Sequence, residues 1–584
     1  MASQDAKTQA RRKSAAKLTR GFRGILVYLF VVSGIINLLA LTGSMYMMQI
    51  YDRALSSGSI PTLLAISALA GGLYLFQGLF DIVRSQVLVR VGARLDRDVA
   101  PAAHKVAMDM PRFGFSGAEA ASRGRDVDTL RGFLGSQGPM ALFDLPWMPL
   151  FLVFVYILHP LLGALTFTGA VLLTSLTIVT EVMTRRLSGA AHEALIQRNA
   201  MVDSNTRNSE SIRAMGIGGR ALERFVVANE EHLAIQTRAN DITGTFAAIS
   251  RVLRMILQSA VLGLGAYLVI QGSLSAGAII AASVASARAL APIDLAIGNW
   301  KNVVMARAAW DRLKGTVAIL DQVQPKMPLP APRRSLKVEG ITVAAPGSGQ
   351  VLLSGASFTV EAGQALGIIG STGGGKTTLI RALAGVWPVL RGSVRLDDAD
   401  LTQWDEEALG AHVGYLQQDY VMLDATIADN ISRLDTEADP RAVVEAARAA
   451  SVHEMIVRLP EGYHTELGPQ GASLSGGQRQ RIGLARALYG EPFLVLLDEP
   501  NSNLDGQGEA ALTEAIEGVK RRGGIVVVIA HRPSALAACD LVAVVQNGKL
   551  TAFGPKEQVI GSVRARPAPG ETVPAREERV RATA

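Results

Sequence analysis

Residues 365–386 read ALGIIGSTGGGKTTLIRALAGV, and this stretch decides the fold of the second half of the chain. ALGIIG reads as a buried strand and TTLIRALAGV as the helix that follows it. The letters that join them, GSTGGGKT, match a phosphate loop, in which glycines let backbone N–H groups face phosphate oxygens. Lys376 would neutralise the β and γ phosphates, and the Thr377 hydroxyl would bind Mg²⁺. The predicted nucleotide-binding residues here are Gly370, Ser371, Thr372, Gly373, Gly374, Gly375, Lys376, Thr377 and Thr378.

Polar side chains follow other apolar runs of this half. Asp498 and Glu499 end the run FLVLL, where an aspartate can hold Mg²⁺ through water and a glutamate can polarise the attacking water. His531 closes IVVVIA and could contact the γ-phosphate. Gln418, in GYLQQDY, is expected in a loop between the nucleotide and the first half of the chain. Each of these residues alone would also suit a solvated strand end or surface loop, so the assignment depends on the phosphate loop.

A second glycine-bearing segment, here called the signature stretch, covers residues 474–481 and reads LSGGQRQR. Glycines at the start of a helix can bind an anion. The phosphate loop already provides such a site for one nucleotide. The residues of the signature stretch alone therefore leave open which nucleotide it binds.

Further strands are predicted in the second half from short apolar runs between polar loops or helical segments. These runs are FLVLLD (493–498), IVVVIA (525–530) and LVAVV (541–545). Strands that alternate with helices indicate a mostly parallel sheet covered by helices.

The first half has the composition of a membrane protein. Charged residues make up 19% of the chain, below the typical level of about 25%, and the mean hydropathy is +0.25. Long uncharged stretches occur up to about residue 300. Cys539 is the single cysteine, which excludes an intramolecular disulfide and a C-x-x-C metal or redox site.

Six membrane spans are predicted from the uncharged stretches. Residues 24–48 and 54–80 are each long enough to cross a bilayer core of about 30 Å. Residues 145–180 are too long for one span and are broken by His159–Pro160, which indicates a hairpin of two. Residues 255–287 predict a second hairpin around QGSLS, with each helix extending past a flanking arginine. Buried core helices are the alternative, which fits the Ala-rich sixth segment but not the first four.

The distribution of arginine predicts the orientation of the spans. Residues 84–137 and 184–251 are rich in arginine, whereas the turns near 49–59, 159–160 and 271–275 carry almost no positive charge. Positive charge stays in the cytoplasm, so we expect both termini and the nucleotide-binding half there. The arginine-rich segments are predicted to be helical extensions of the spans.

The stretch QPKMPLPAPRRS reads as a linker because its prolines prevent a continuous helix. Together with the patterns above, it divides the chain into five predicted segments. They are a cytoplasmic N-terminal segment (1–23), a transmembrane domain with six helices (24–323), the linker (324–335), a nucleotide-binding domain (336–563) and a disordered tail (564–584).

In chain order, GSTGGGKT, the glutamine loop, LSGGQ, LLDEP, SNLD and AHRP resemble the ATPase domain of the ABC transporter family. The resemblance implies an α-helical six-span domain of the ABC exporter type followed by an α/β P-loop ATPase domain that uses ATP and Mg²⁺. It also implies a homodimer in which each signature stretch completes the site on the opposite phosphate loop. The residues so implied are Ser475, Gly476, Gly477 and Gln478 for the partner's ATP, Thr377, Gln418 and Asp498 for Mg²⁺, and Glu499, His531 and Gln418 for catalysis.

Other motifs are similar to those of type I secretion ABC proteins, in particular the PrtD-like alkaline-protease exporter group. They include DLPWMPLF (144–151), GVWPVLRGSVRLD (385–397), YLQQDYVMLDATIADNI (415–431) and TELGPQG (465–471). The resemblance implies an inner-membrane exporter surrounded by lipid that moves unfolded proteins with a C-terminal signal. It also implies a periplasmic membrane-fusion adaptor and an outer-membrane channel as partners.

Two alternatives remain. One is an exporter of lipids or small amphiphiles with the same architecture, which the residues do not separate from a protein exporter. The other is a nucleic-acid-binding or soluble-type ATPase with an anchor, and six spans argue against it, so no nucleic-acid partner is expected. Ala345 stands where many family members have an aromatic side chain on adenine, which leaves base selectivity open. Asp81, Asp144, Glu181 and Arg288 at span edges are expected to orient or pair helices and not to bind cargo.

Overall fold

The computed structural model describes residues 23–320, 326–327, 329–468, 471, 474–530 and 532–565. Residues 1–22, His531 and residues 566–584 carry predictions made above and lie outside this part of the chain. The chain forms two compact units. The first consists of Met1–Pro111 and Phe115–Val323, and the second of Arg112–Gly114 and Gln324–Ala584.

The first unit is entirely helical in its described residues, and six of its helical segments are long and apolar enough to cross a membrane. This confirms the six predicted spans. The spans are Gly24–Ser57, Ile60–Phe113, Gln137–Leu158, Pro160–Arg207, Gly218–Ile270 and Ala276–Gly298. The α-helices are α1 (Arg23–Leu39), α2 (Thr42–Gln49), α3 (Leu55–Ser57), α4 (Ile60–Asp109), α5 (Gly117–Leu134), α6 (Gln137–Asp144), α7 (Met148–Leu158), α8 (Pro160–Arg207), α9 (Ser209–Ala214), α10 (Gly218–Ile270), α11 (Ala276–Gly298) and α12 (Trp300–Leu320).

Both predicted hairpins are confirmed. His159 has extended backbone angles (φ −163°, ψ 133°), and its Nδ1 accepts a hydrogen bond from the Leu161 N–H, which caps the start of α8. The second break lies between Ile270 and Ala276, where the Ser275 side chain accepts a hydrogen bond from the Ala278 N–H. A proline or a capping side chain at each break supplies the local reason why one helix ends and another begins.

The predicted turn at 49–59 is wrong in its extent. The chain continues as a π-helix over Ile50–Ala54 and then as α3, so only the segment around Gly58 turns. Gly58 adopts φ +62°, a left-handed conformation that favours glycine. Ser59 then caps α4 by accepting a hydrogen bond from the Thr62 N–H. A short π-helix is rare and has no sequence pattern of its own, which explains why the prediction was wrong here.

Of the charged residues at the span edges, Asp144 pairs helices as expected, Asp81 bonds Arg84 within α4, and the roles of Glu181 and Arg288 stay predictions. Arg84 is 5% exposed, and its guanidinium donates to Asp144 at 2.7 Å and to Asp81 at 2.8 Å. Asn37 donates to the same Asp144 carboxylate at 2.9 Å. The bonds to Asp144 join α1, α4 and α6, and they offset the cost of burying the Arg84 guanidinium and most of the Asp144 carboxylate.

The second unit contains two sheets. The six-stranded sheet has the order β10-β9-β3-β8-β7-β6, and all of its pairs are parallel except β9–β10. A separate four-stranded antiparallel sheet, β2-β1-β4-β5, was not predicted. The strands are β1 (Ser335–Ala344), β2 (Val351–Glu361), β3 (Ala365–Ile369), β4 (Arg391–Leu396), β5 (Ala399–Asp400), β6 (Val413–Leu416), β7 (Leu494–Asp498), β8 (Ile525–Ile529), β9 (Leu541–Gln546) and β10 (Lys549–Pro555).

The parallel sheet forms the core of the second unit, and its central strands β3, β7 and β8 confirm the predicted apolar runs. Every residue of β7 and β8 is buried, because helices cover both faces of a parallel sheet. The last helix ends at Ala565, within the segment predicted as a disordered tail. The helices are α13 (Lys376–Leu383), α14 (Glu406–His412), α15 (Ile427–Ile431), α16 (Pro440–Ala449), α17 (His453–Val457), α18 (Gly476–Leu488), α19 (Gly506–Arg521) and α20 (Lys556–Ala565).

Candidate active site

The phosphate loop, Gly370–Thr377, joins β3 to α13 as the sequence predicts. Gly370 has φ +153°, and a Cβ there would overlap the carbonyl oxygen of Val545 on the neighbouring strand. Gly375 has φ +101°, and a Cβ would lie 3.0 Å from the Leu352 carbonyl oxygen. Both positions therefore require glycine. Each has a positive φ, and at each the loop passes close to the backbone of another strand.

Lys376 is the first residue of α13 and is only 5% exposed. Its ammonium donates hydrogen bonds to the carbonyl oxygens of Gly370 at 3.0 Å and Ser371 at 2.9 Å. Burial lowers the pKa of Lys376, and the nearby carboxylates of Glu499 and Asp498 oppose that change. The charge is thus held inside its own loop, where phosphate oxygens can replace the two carbonyl oxygens.

Asp498 ends β7 and is 1% exposed. Burial raises its pKa to about 6, and the nearby Thr377 hydroxyl lowers it by less. Apart from that Thr377 hydroxyl, neither carboxylate oxygen has a hydrogen-bond donor in the part of the chain that the structure describes. A buried carboxylate with so few hydrogen-bond donors is costly unless a cation occupies the site. These oxygens therefore fit Mg²⁺, whose preferred ligands are oxygen atoms.

The strand registers bring the catalytic candidates to one edge of the sheet. Leu416 pairs with Leu497, and Asp498 pairs with Ile529, so β6, β7 and β8 end side by side. Gln418 follows β6 by two residues and is exposed. Glu499 follows Asp498 directly. His531 follows β8 by two residues but lies outside the described residues, so its contacts stay a prediction.

Glu499 has φ +51°, which is unusual for a residue with a side chain. Its carbonyl oxygen accepts a hydrogen bond from the Gln480 side chain at 3.4 Å, and the same side chain donates to the Pro500 carbonyl oxygen. Gln480 belongs to the signature stretch and is 2% exposed. Sequence reasoning missed this role of Gln480, although the residue lies inside a motif that was identified.

The signature stretch begins α18 with an exposed cap. Ser475 Oγ accepts a hydrogen bond from the Gln478 N–H at 3.3 Å, and the Gln478 side chain accepts one from the Ser475 N–H at 2.8 Å. A Cβ on Gly477 would lie 2.9 Å from the Asn503 carbonyl oxygen, so this glycine allows close packing. Ser475 itself is exposed, which leaves the start of the helix open on one side.

Two further residues at this helix start were missed from the sequence. Tyr420 donates its hydroxyl hydrogen to the Gly476 carbonyl oxygen at 2.7 Å. Asn503, within SNLD, donates from its side chain to the Tyr420 hydroxyl at 3.2 Å. The motifs LSGGQ and SNLD mark the neighbourhood, but nothing along the chain links Tyr420 to either of them.

Two other predicted positions lie in well-defined loops. Ala345 follows β1, and its N–H donates to the Gln350 carbonyl oxygen at 2.8 Å in the turn before β2. The segment that begins at Thr465 pairs with the loop after β6, through an antiparallel bridge between Glu466 and Thr426. Parts of that segment, residues 469–470 and 472–473, lie outside the described residues.

Both units match known protein families. Residues 353–502 match the family described as ABC transporter, and residues 26–291 match the ABC transporter transmembrane region. The chain is 47% identical over 561 residues to the type I secretion system ATP-binding protein PrsD of Rhizobium meliloti (strain 1021), which covers 96% of this chain and 96% of that protein.

More distant relatives share most of the chain. The toxin RTX-I translocation ATP-binding protein of Actinobacillus pleuropneumoniae is 27% identical over 92% of this chain and 77% of its own length. The alpha-hemolysin translocation ATP-binding protein HlyB of Escherichia coli is 26% identical over 92% of this chain and 77% of its own length. A solved structure of a bacterial Atm1-family ABC exporter with ATP bound shares the fold, with a TM-score of 0.79 and 23% identity over 93% of this chain and 97% of that chain.

Proposed function

The chain belongs to the ABC transporter family, and we propose that it is the inner-membrane exporter of a type I secretion system, working as a homodimer. It is a multi-pass membrane protein with an ATP-binding domain, and it hydrolyses ATP to drive transport. The proposed cargo is unfolded protein with a C-terminal signal. The proposed partners are a periplasmic membrane-fusion adaptor and an outer-membrane channel.

The observation that carries this proposal is the 47% identity, over nearly the full length of both chains, to a protein described as type I secretion ATP-binding protein PrsD. The toxin and hemolysin translocation proteins, at 26% to 27% identity, support the same transport class. The architecture alone does not separate a protein exporter from a lipid or small-amphiphile exporter, because the likeness to the Atm1-family structure extends to the fold and no further.

In the proposed mechanism, the phosphate loop and Lys376 hold the ATP phosphates. Asp498, Thr377 and Gln418 would hold Mg²⁺, which supplies positive charge to the oxygens of the transferred phosphoryl group when bound. Glu499 orients and polarises the attacking water, because it follows Asp498 at the edge of the sheet. His531 is proposed, from its position in the sequence after β8, to contact the γ-phosphate. Ser475, which is exposed, and Gly477, which is partly exposed, would complete the site of the second copy from the opposite side.

The proposed orientation follows from charge. The turns at 159–160 and 271–275 are nearly free of arginine, and the long extensions of α4, α8 and α10 carry many. Both termini and the ATPase domain are therefore proposed to lie in the cytoplasm, with lipid around the apolar helix faces.

The experiment is a comparison of secreted proteins between the host strain, a deletion strain and complemented strains. We expect at least one protein to disappear from the medium after deletion and to return with the wild-type gene. Complementation with Glu499→Gln should fail, whereas Glu514→Gln, an exposed carboxylate on α19, should restore export.

An unchanged set of secreted proteins, together with altered membrane or extracellular lipids in the deletion strain, would overturn the protein-export proposal and favour the lipid exporter. Fusing the last segment of the lost protein to a reporter tests the C-terminal signal. Export of the reporter only when that segment stands at its C-terminus is the expected result.

A further inference from the structure

Tyr420 lies at the meeting point of three loops of the ATPase unit. It follows Gln418 by two residues, so it belongs to the glutamine loop. Its hydroxyl donates to the Gly476 carbonyl oxygen at 2.7 Å, at the start of the signature helix α18. The same hydroxyl accepts a hydrogen bond from the Asn503 side chain at 3.2 Å. One phenol oxygen thus joins the glutamine loop, the signature stretch and SNLD.

The ring of Tyr420 is held as firmly as its hydroxyl. It is half-buried and packs against the hydrophobic core that includes Met422, Ile427 and Ile482. A rigid aromatic side chain has few rotatable bonds, so its hydroxyl keeps a defined position at low cost in conformational entropy.

The other end of the signature helix is tied to the same segment. Arg433 donates from Nε to the Arg486 carbonyl oxygen at 2.9 Å and from Nη2 to the Ala487 carbonyl oxygen at 3.1 Å. These carbonyls belong to the last turn of α18, which lacks partners further along the helix. The segment from Tyr420 to Arg433 therefore holds α18 at both ends.

We propose that Tyr420 is a positioning residue that sets the start of the signature helix according to the state of the glutamine loop. The inference rests on the proposed function, since it requires that the signature stretch serve the nucleotide of the second copy. A displacement of Gln418 is passed through the Tyr420 hydroxyl to Gly476 and Asn503. Tyr420 thereby acts on the partner's ATP site and not on the site of its own chain.

The chemistry of this contact is specific to the hydroxyl. Tyr420→Phe keeps the ring in the core and removes the donor to Gly476 and the acceptor for Asn503. We expect about a fivefold loss of ATPase activity in the homodimer, mainly from the loss of the 2.7 Å bond to Gly476, since the 3.2 Å bond from Asn503 is longer and weaker. Binding of ATP to the phosphate loop of the same chain should not change.

The decisive test uses heterodimers of full-length protein, purified through two tags and placed in nanodiscs. One chain carries Lys376→Ala, which leaves a single intact site: the other chain's phosphate loop with this chain's signature stretch. Tyr420→Phe added to the Lys376→Ala chain alters the signature of that intact site and should lower activity about fivefold. Tyr420→Phe added to the other chain should leave activity at the level of the parent heterodimer.

If ATPase activity falls only when Tyr420→Phe is in the chain with the intact phosphate loop, the proposal is wrong. Tyr420 then acts on the nucleotide site of its own chain. An equal loss in both arrangements also overturns it, because a general structural role has no preferred chain. If a dimer with one intact site does not turn over, occlusion of ATP in chains that also carry Glu499→Gln gives the same comparison without hydrolysis.

Two controls make the result specific. Tyr463→Phe removes a hydroxyl that hydrogen bonds His453 at 2.8 Å in the same unit, and it should change neither arrangement. Gly477→Ala in place of Tyr420→Phe tests the shared site itself. If Gly477→Ala lowers activity only from the chain with the intact phosphate loop, the shared-site homodimer is wrong and this inference is wrong with it. If Gly477→Ala lowers activity only from the Lys376→Ala chain, and Tyr420→Phe does not, the shared site stands and only the inference about Tyr420 is wrong.

Discussion

The phosphate loop and the signature stretch are both glycine-bearing starts of helices in one ATPase unit, yet the chain surrounds them very differently. In the phosphate loop, Gly370 lies against Val545, and Lys376 is buried with both carbonyl partners in its own loop. In the signature stretch, Ser475 is exposed and caps its own helix. Its inner side is held by Tyr420 and Asn503.

The two motifs have similar sequences but different surroundings, and under the proposed function they take different parts in one reaction. The first motif forms a pocket whose charge, backbone and buried carboxylate come from one chain. The second motif is an exposed helix start. Tyr420 and Asn503 hold it in position, and its proposed ligand is a nucleotide bound to another phosphate loop. An exposed helix start of this kind is consistent with the proposal that it closes on a nucleotide held elsewhere.

The largest expected effect tests the pocket side of the comparison. Glu499→Gln keeps the size of the side chain and removes the carboxylate that is proposed to polarise water. We expect ATP binding to persist and hydrolysis to fall about a hundredfold or more, the usual contribution of a general base. Turnover by purified protein in nanodiscs measures this. Near-normal turnover would remove Glu499 from the catalytic role and leave the pocket without its proposed base.

Glycine substitutions within the phosphate loop sharpen the description of the pocket. An alanine at Gly370 overlaps the Val545 carbonyl oxygen, whereas an alanine at Gly373 (φ +75°) meets nothing within 4 Å. Gly373→Ala should cost about 1 kcal/mol for its left-handed backbone, and Gly370→Ala about 2 kcal/mol more through overlap. Thermal unfolding without nucleotide measures both. Equal losses would mean that the strand beside Gly370 moves freely.

Mixed dimers test whether the two motifs belong to one site or to two. A chain with Lys376→Ala and a chain with Gly477→Ala should form a dimer with one site carrying both defects and one carrying neither. ATPase activity should then recover, to about half of the wild-type value if the sites act independently. A cysteine at Ser475 should also crosslink between chains to one at Ser371. Crosslinks within a single chain alone would break the comparison, because both motifs would then serve one nucleotide in one chain.

The smallest expected effect concerns the buried carboxylate. The pKa of Asp498 is about 6, above its ordinary value of 3.8, so the native state favours the protonated form. This contribution to stability is complete below pH 3.8 and is lost as the pH rises through 6. Asp498→Asn should therefore unfold a few degrees higher than wild type at pH 8, with the difference gone below about pH 4.

Mg²⁺ provides the matched measurement for this variant. Added Mg²⁺ with ATP should stabilise the wild-type protein at pH 8 and do so less at pH 5, where protons compete for the carboxylate. The Asn variant should show a much smaller Mg²⁺ effect at either pH. If the Asn variant is less stable than wild type at pH 8, neighbouring hydrogen-bond donors stabilise the ionised Asp498 carboxylate, and the argument for a cation at this position is wrong.

Much of the fold was predictable because its signals are local. A helix of about twenty apolar residues, the His159–Pro160 break and the glycines of the phosphate loop each depend on residues adjacent along the chain. The buried strands β3, β7 and β8 were found for the same reason. The β2-β1-β4-β5 sheet was missed, since its strands alternate in burial and pair through a distant return of the chain, from β1 to β4.

The sequence by itself determined that this chain has six spans and an ATPase domain, and which residues form the phosphate loop. The packing of distant segments makes Arg84 join three membrane helices, buries Asp498 with the Thr377 hydroxyl beside it, and brings Tyr420 to Gly476, 56 residues away. The physical reason is that backbone conformation follows from neighbours in sequence, whereas burial, pKa and side-chain contacts depend on which distant segments pack together.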